Sequence, residues 1–305
     1  MHASSIVVTG GAGFIGSHIA KTFSDSHEVT VLDNLSTGAT SRIPANAQFV
    51  EADIREEASL HPHFNSADVV FHQAALVSVD ESIRDPKRSA AINLAGTMSV
   101  LETARRTDTR VVLASSAAIY GHPEDTPIDE DHPTHPTSPY GVDKLAVDHY
   151  ARVYAELYDL ETVALRYFNV YGPGQTGGNY AGVITVFIRQ ALAGEDITVH
   201  GDGEQTRDFV FVDDVVRANR LAAETDHIGK SYNIGTGHSV SIRRLAELIQ
   251  DLTDTDSDIV HVESRRGDID QSVADITAAT NTLEYEPTVS LEEGLERTID
   301  WYRSM

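Results

Sequence analysis

Residues 5–23, "SIVVTGGAGFIGSHIAKTF", decide the fold. Ser5 to Thr9 is a short, apolar, β-branched run of the kind that forms a buried strand. The residues after Gly13 place Ile15, Ile19 and Phe23 at helical spacing. Between strand and helix stand Gly10, Gly11, Gly13 and Gly16, which fit G-x-G-x-x-G from Gly11 and G-x-x-G-x-x-G from Gly10. Glycine suits this place because the chain must turn sharply, admit a pyrophosphate against its backbone and then pack helix on strand. The free N–H groups at the start of such a helix face the phosphates. Strand, turn and helix together predict a dinucleotide site.

A second strand, "EVTVLD", ends at Asp33. A carboxylate there accepts bonds from both ribose hydroxyls and repels a 2′-phosphate, which favours NAD over NADP. Three more apolar runs open into small or polar residues: "AQFVEADI" (47–54), "ADVVFHQAA" (67–75) and "RVVLASSAAIYG" (110–121). With helical stretches between them, they predict an α/β fold: a Rossmann-type, doubly wound parallel sheet with ligands along its carboxyl edge. Asp53, Ala74, Ala75 and Ser116 fall at that edge.

Residues 1–170 read as the NAD-binding domain, with further elements returning from the second half. Residues 171–305 read mainly as a smaller α/β lobe. Gly172, Pro173, Gly174, Gly177 and Gly178 mark the departure from the sheet. Residues 239–252, "SVSIRRLAELIQDL", present Ile242, Leu245, Leu248, Ile249 and Leu252 on one helical face, a core stripe.

Composition excludes several classes. The chain of 305 residues has 47 acidic against 23 basic residues and a net charge of −24. Such a field repels nucleic acid and anionic membranes. The acids are scattered, which points to adaptation to molar salt, where screening shortens to about 3 Å. There is no cysteine, hence no disulfide, thiolate nucleophile or zinc–sulfur site. Fourteen histidines include His61/His63 and His132/His135, set among prolines and acids as solvated loop residues rather than metal ligands. No apolar run is long enough for a membrane helix, and the first residues carry no secretory signal, so a soluble, cytoplasmic protein is expected.

Only four lysines remain: Lys21, Lys87, Lys144 and Lys230. Lys144 closes "SPYGVDK" (138–144), where Ser138 suits an N-cap and Pro139 the first helical position. Tyr140 and Lys144 then share one helix face. By itself that is a surface tyrosine and a solvated lysine; beside a dinucleotide site it becomes chemistry. The lysine charge and that of an oxidised nicotinamide both favour phenolate at Tyr140. Moving a phenol from about 10 toward neutrality takes roughly 4 kcal/mol, within reach of two cations in a partly dry site. Ser116 can bond the same oxygen, so the set suits oxidation at a carbinol carbon.

"TGGAGFIG", "DNLSTG", "SSAAIYG" and "YGVDK" resemble the extended short-chain dehydrogenase/reductase family. "LRYFNVYGP" (165–173) and "GDGEQTRDFVFVDDV" (201–215) are similar to its nucleotide-sugar epimerase/dehydratase branch, above all the UDP-glucose (UDP-galactose) 4-epimerases. The resemblance implies Ser116, Tyr140 and Lys144 as catalytic residues, with Tyr140 as base. It implies Gly10, Gly13, Phe14, Ile15, Gly16, Asp33, Asn34, Gly38, Asp53, Ile54, Ala74, Ala75 and Asn93, with Tyr140 and Lys144, around NAD. It implies a UDP-sugar held by Ser116, Tyr140, Asn169, Arg207 and Arg265, with Thr198 and His200 at the uracil and Ser272 near the position that limits sugar size. A serine there leaves room for a 2-acetamido group. Runs 89–106 and 139–157 resemble a helix pair that forms a four-helix homodimer seam. Related dehydratases and decarboxylases carry acids where this chain has Ala117 and Ala118, which favours 4-epimerisation over elimination. A uronate epimerase, a 4,6-dehydratase or decarboxylase, and a non-catalytic NAD-binding protein are the competing readings.

Overall fold

The computed structural model describes residues 5–176, 182–264 and 269–305. Its frame is a seven-stranded sheet. In chain order, β1 (Ser5–Thr9), β2 (Glu28–Asp33), β3 (Gln48–Glu51), β4 (Val69–His72), β5 (Arg110–Ser116) and β6 (Thr162–Tyr167) are joined at one edge by the returning strand Lys230–Ile234. The spatial order is Lys230–Ile234, β6, β5, β4, β1, β2, β3. All its pairings are parallel, with β1 between β2 and β4. From β1 the chain runs outward to β2 and β3 and then crosses back to β4, so the carboxyl ends of β1 and β4 flank a topological switch point where a crevice must open.

Burial on both faces explains the continuous apolar runs. Along β1, Ile6 and Val8 point to one layer and Val7 to the other, the two-residue period of a strand. The first layer holds the helices Phe14–Ser24, Val212–Glu224 and Thr277–Leu283, packed through Ile19, Phe23, Val215 and Leu283. The second holds Glu57–Phe64, Thr97–Thr107 and Pro139–Tyr158, packed through Leu60, Leu101, Val147 and Tyr154. A separate core, including Phe187, Ile188, Val199, Phe211, Leu245, Ile249 and Ile299, builds the lobe beyond the sheet.

The helix expected over 239–252 begins later. Val240–Ser241 is a short strand against Thr206–Arg207, and the Ser241 hydroxyl accepts from Arg244 N–H to cap a helix over Ile242–Thr253. The run expected over 89–106 is helical throughout: Pro86–Ala90 passes through a π-helical turn, Ala91–Gly96, into Thr97–Thr107. Within that turn Asn93 Oδ1 accepts from Leu76 N–H at 2.7 Å while its Nδ2 donates to Leu76 O at 3.0 Å. Such turns are often functional.

Behind β5 and β6 a buried bidentate pair ties helix to sheet. Arg166 Nε and a terminal nitrogen donate to Asp148 at 3.0 and 2.9 Å, and Arg166 also donates to Tyr120 Oη and Glu130 O. Burial pushes the Asp148 carboxyl up, but its bonds to Arg166 outweigh this and hold it below the ordinary range.

Candidate active site

A groove of ≈ 460 Å³ runs along the carboxyl edge at the switch point. A larger recess, ≈ 720 Å³, opens at the opposite edge among Asp68, Asp108, Asp159, Glu161 and Arg110. The smaller groove is the candidate, because ligands of open parallel sheets bind where strand carboxyl ends and helix N-termini converge.

Gly10 has φ of 69°, and a Cβ there would lie 2.6 Å from Ala74 N. A Cβ on Gly16 would lie 2.2 Å from Gly10 O, so both glycines are demanded by close backbone approach. Helix Phe14–Ser24 starts at Gly13 with no side-chain cap and no acid in its first turn. Its first N–H groups therefore have no capping side chain to compete with an anion. Asp33 is buried at the end of β2; its Oδ2 accepts from Ala12 N–H at 3.0 Å and its Oδ1 from Leu35 N–H at 2.8 Å. One bond per oxygen fixes the carboxylate and leaves lone pairs for a diol. Asp53 is gripped by Arg55 Nε at 2.8 Å and Asn34 Nδ2 at 3.0 Å, and the Arg55 bonds hold its carboxyl well below the usual range. An uncapped helix start, a glycine cradle that a Cβ would fill and a fixed carboxylate fit a dinucleotide.

At the other end stand Ser116, Tyr140 and Lys144. The cap predicted for the Tyr140 helix is present, Ser138 Oγ accepting from Gly141 N–H at 3.1 Å with Pro139 in the first turn. This sets Tyr140 and Lys144 on the groove side, and the Lys144 Nζ lies 6.0 Å from the Tyr140 ring centroid. Lys144 is only 7% exposed and donates to Ala114 O at 2.7 Å. Burial pushes it down to about 8, and the Asp143 charge pulls it partly back. Burial raises the Tyr140 phenol, and its bond with Ser116 lowers it in part. The protein alone therefore keeps the phenol protonated at neutral pH, so the lysine charge without the cofactor's does not supply the lowering expected from the sequence.

Below them His72 is held between Thr9 Oγ1 at 2.7 Å and Thr97 Oγ1 at 2.9 Å. Thr97 spends its one hydroxyl proton on Asn93 O, so His72 donates from Nε2 and accepts at Nδ1. Burial and the nearby Lys144 push this imidazole down to about 3, leaving it neutral.

Gly10, Gly13, Phe14, Ile15, Gly16, Asp33, Asn34, Asp53, Ile54, Ala74, Ala75, Ser116, Tyr140, Lys144 and Asn169 all line the groove. Gly38, Asn93, Thr198, His200, Arg207 and Ser272 are not among its lining residues. Gly38 packs behind Asp33, where a Cβ would meet Oδ1 at 3.0 Å, and Asn93 spends its amide on Leu76. Thr198 Oγ1 accepts from Gln190, and His200 Nδ1 donates to Glu263 O. Arg207 donates to Thr206 O and Ile269 O, and Ser272 is buried near the Ile128–Ala274 bridge. Arg265, with Gly177 and Gly178, lies outside the described residues. Gln73, Arg42, Arg88, Tyr167 and Gln175 also line the groove. Of these, Gln73, in the run 67–75, and Tyr167, in "LRYFNVYGP", fall in stretches with a local signal. Among the described lining residues the carboxylates are Asp33 and Asp53, both on the first-helix side, away from Tyr140.

A crevice that joins a phosphate cradle to a half-buried tyrosine and a buried lysine defines a nucleotide-dependent α/β enzyme. The model of the NAD dependent epimerase/dehydratase family matches residues 6–235. The crystal structure of a UDP-glucose 4-epimerase from Thermotoga maritima with UDP-glucose is 40% identical, with a TM-score of 0.95 over 98% of this chain and 99% of that one. A UDP-N-acetylglucosamine 4-epimerase from Methanobrevibacter ruminantium M1, in complex with UDP-N-acetylmuramic acid, is 37% identical, with a TM-score of 0.94 over 100% and 99%. A UDP-N-acetyl-alpha-D-glucosaminuronate decarboxylase of Bacillus cytotoxicus is 36% identical over 98% of each chain. The chain belongs to the NAD-dependent epimerase/dehydratase family, and NAD is its cofactor. Relatives of similar identity carry different activities, so the site has to distinguish among them.

Proposed function

We propose that the protein interconverts the C4 epimers of a UDP-hexose, UDP-glucose and UDP-galactose, through a transient 4-keto sugar. The observation that carries this reading is the set Ser116, Tyr140 and Lys144 at a groove end whose described lining holds no carboxylate. Bound NAD supplies the hydride acceptor and a positive charge. Tyr140 Oη, held by Ser116, takes the proton of the sugar 4-hydroxyl and later returns it. Lys144, anchored on Ala114 O, keeps a cation beside the phenol and stabilises its ionised form. Ala117 and Ala118 form the 3₁₀ turn after β5 and offer no acid for eliminating a C6 hydroxyl, which disfavours a 4,6-dehydratase.

In this reading Gly10, Gly13 and Gly16 hold the pyrophosphate against the uncapped helix, and Asp33 holds the adenosine ribose. Asn169, Arg207, Arg265, Thr198 and His200 are assigned to the UDP moiety, and residues 171–305 mainly to its lobe. Ser272 is assigned to sugar-size selection, so N-acetylhexosamine forms are included; the named substrate class of the Methanobrevibacter relative supports this. A cytoplasmic homodimer through the 89–106 and 139–157 segments completes the proposal; no described helix is long and apolar enough to cross a membrane.

The test is to incubate the purified protein with NAD and UDP-galactose in concentrated KCl and resolve the nucleotide sugars. UDP-glucose should form, and Tyr140→Phe should lower kcat by roughly 10²- to 10⁴-fold. An undiminished rate in that variant would remove Tyr140 as the base.

A further inference from the structure

One buried acid has no part in the chemistry above. Asp143, beside Lys144 in the helix Pro139–Tyr158, is 5% exposed. Its Oδ2 accepts from Ser89 Oγ at 2.6 Å. Asn93 Nδ2 also reaches Ser89 Oγ at 3.3 Å, while its amide grips both backbone groups of Leu76, a groove-lining residue. A hydrogen-bonded path thus runs from the Lys144 helix, through the π-helical turn, to the groove wall.

A carboxylate this deep is costly unless a cation and hydrogen bonds offset its lost hydration. The Ser89 bond and the charge of Lys144 act in that direction, but burial outweighs them and raises the Asp143 carboxyl above its ordinary range. Conversely, Asp143 is the carboxylate acting on Lys144. The other titratable groups facing that ammonium are Tyr140 on its own helix and His72 on β4, and both are uncharged at neutral pH. From β5 it meets the neutral Ala114 carbonyl.

We infer that Asp143 is a positioning residue of this site: its carboxylate is the buried counter-charge of the Lys144 ammonium and, through Ser89 and Asn93, fixes the Leu76 segment of the groove wall. Its catalytic consequence rests on the function proposed above; its electrostatic consequence does not. Side-chain ¹³C labelling of lysine gives four signals to titrate by NMR, that of Lys144 assigned by its loss in Lys144→Met. In Asp143→Asn, with circular dichroism and NAD binding retained, the Lys144 midpoint should fall by about one pH unit. The alkaline limb of kcat/KM should move down with it. Asp143→Ser, smaller and able to bond Ser89, should give the same direction and serves if the asparagine variant folds poorly. A Lys144 midpoint unchanged in both variants overturns the inference. A lowered midpoint in a protein whose wild type shows no epimerisation upholds the inference and refutes the proposed reaction.

Discussion

Replacing Lys144 by methionine should make the NAD-free protein more stable at neutral pH and leave it nearly level with wild type in alkali. The lysine is 7% exposed and is pushed by burial from 10.5 to about 8. At 1.36 kcal/mol per pH unit that displacement corresponds to about 3.4 kcal/mol. Because the folded pKa lies below the unfolded one, the unfolded chain binds more protons between about 8 and 10.5. The group's penalty is therefore fully present below 8 and disappears as pH rises to 10.5. Between pH 7 and pH 10 the stability difference between variant and wild type should shrink by about 2.5 kcal/mol. The lost bond to Ala114 O offsets the gain by about 1 kcal/mol at every pH and does not alter this slope. Urea unfolding followed by circular dichroism, at fixed KCl and several pH values, measures it. A difference that stays constant across this range would refute the claim that Lys144 is a strained, buried cation kept for function.

Gly16→Ala places a Cβ 2.2 Å from the Gly10 carbonyl, backbone that cannot swing aside; it should cost about 1–3 kcal/mol in thermal unfolding and weaken NAD at least tenfold by fluorescence titration, as expected for overpacking. Asp148→Ala leaves Arg166 buried without its partner and should cost about 3–5 kcal/mol by denaturant unfolding. Because the folded Asp148 pKa is depressed, the wild type's advantage over that variant should be present at neutral pH and vanish as pH falls through the folded value. Finally, with a net charge of −24, the melting temperature should rise between about 0.1 M and 1 M KCl as screening shortens from about 10 Å to about 3 Å; a flat response would remove the reading of adaptation to molar salt.

The dinucleotide half was legible because its signals are local. A strand, a glycine turn and a helix sit within twenty-odd contiguous residues, Asp33 ends the next strand, and "SPYGVDK" carries its own cap. Contacts between distant segments were not legible. Nothing in "KSYNI" announces that Lys230–Ile234 pairs with β6, and nothing in "AINLAG" announces a π-helical turn or the bond that its Asn93 makes back to Leu76. Asp143 looks like any helical surface acid until Ser89 is brought against it. Thr198, His200 and Ser272 entered through resemblance alone, and they, with Arg207, are not among the residues lining the groove. The position of a residue along the chain does not say which way a lobe turns it.

The most direct test of 4-epimerisation is to run the reaction with UDP-galactose in D₂O and examine the product sugar by NMR. If Tyr140 moves only the hydroxyl proton while the C4 hydrogen leaves and returns within a dry site, UDP-glucose should accumulate with protium at every ring carbon. Deuterium in the hexose ring, or a 4-keto-6-deoxy product, would contradict the account and point to elimination chemistry.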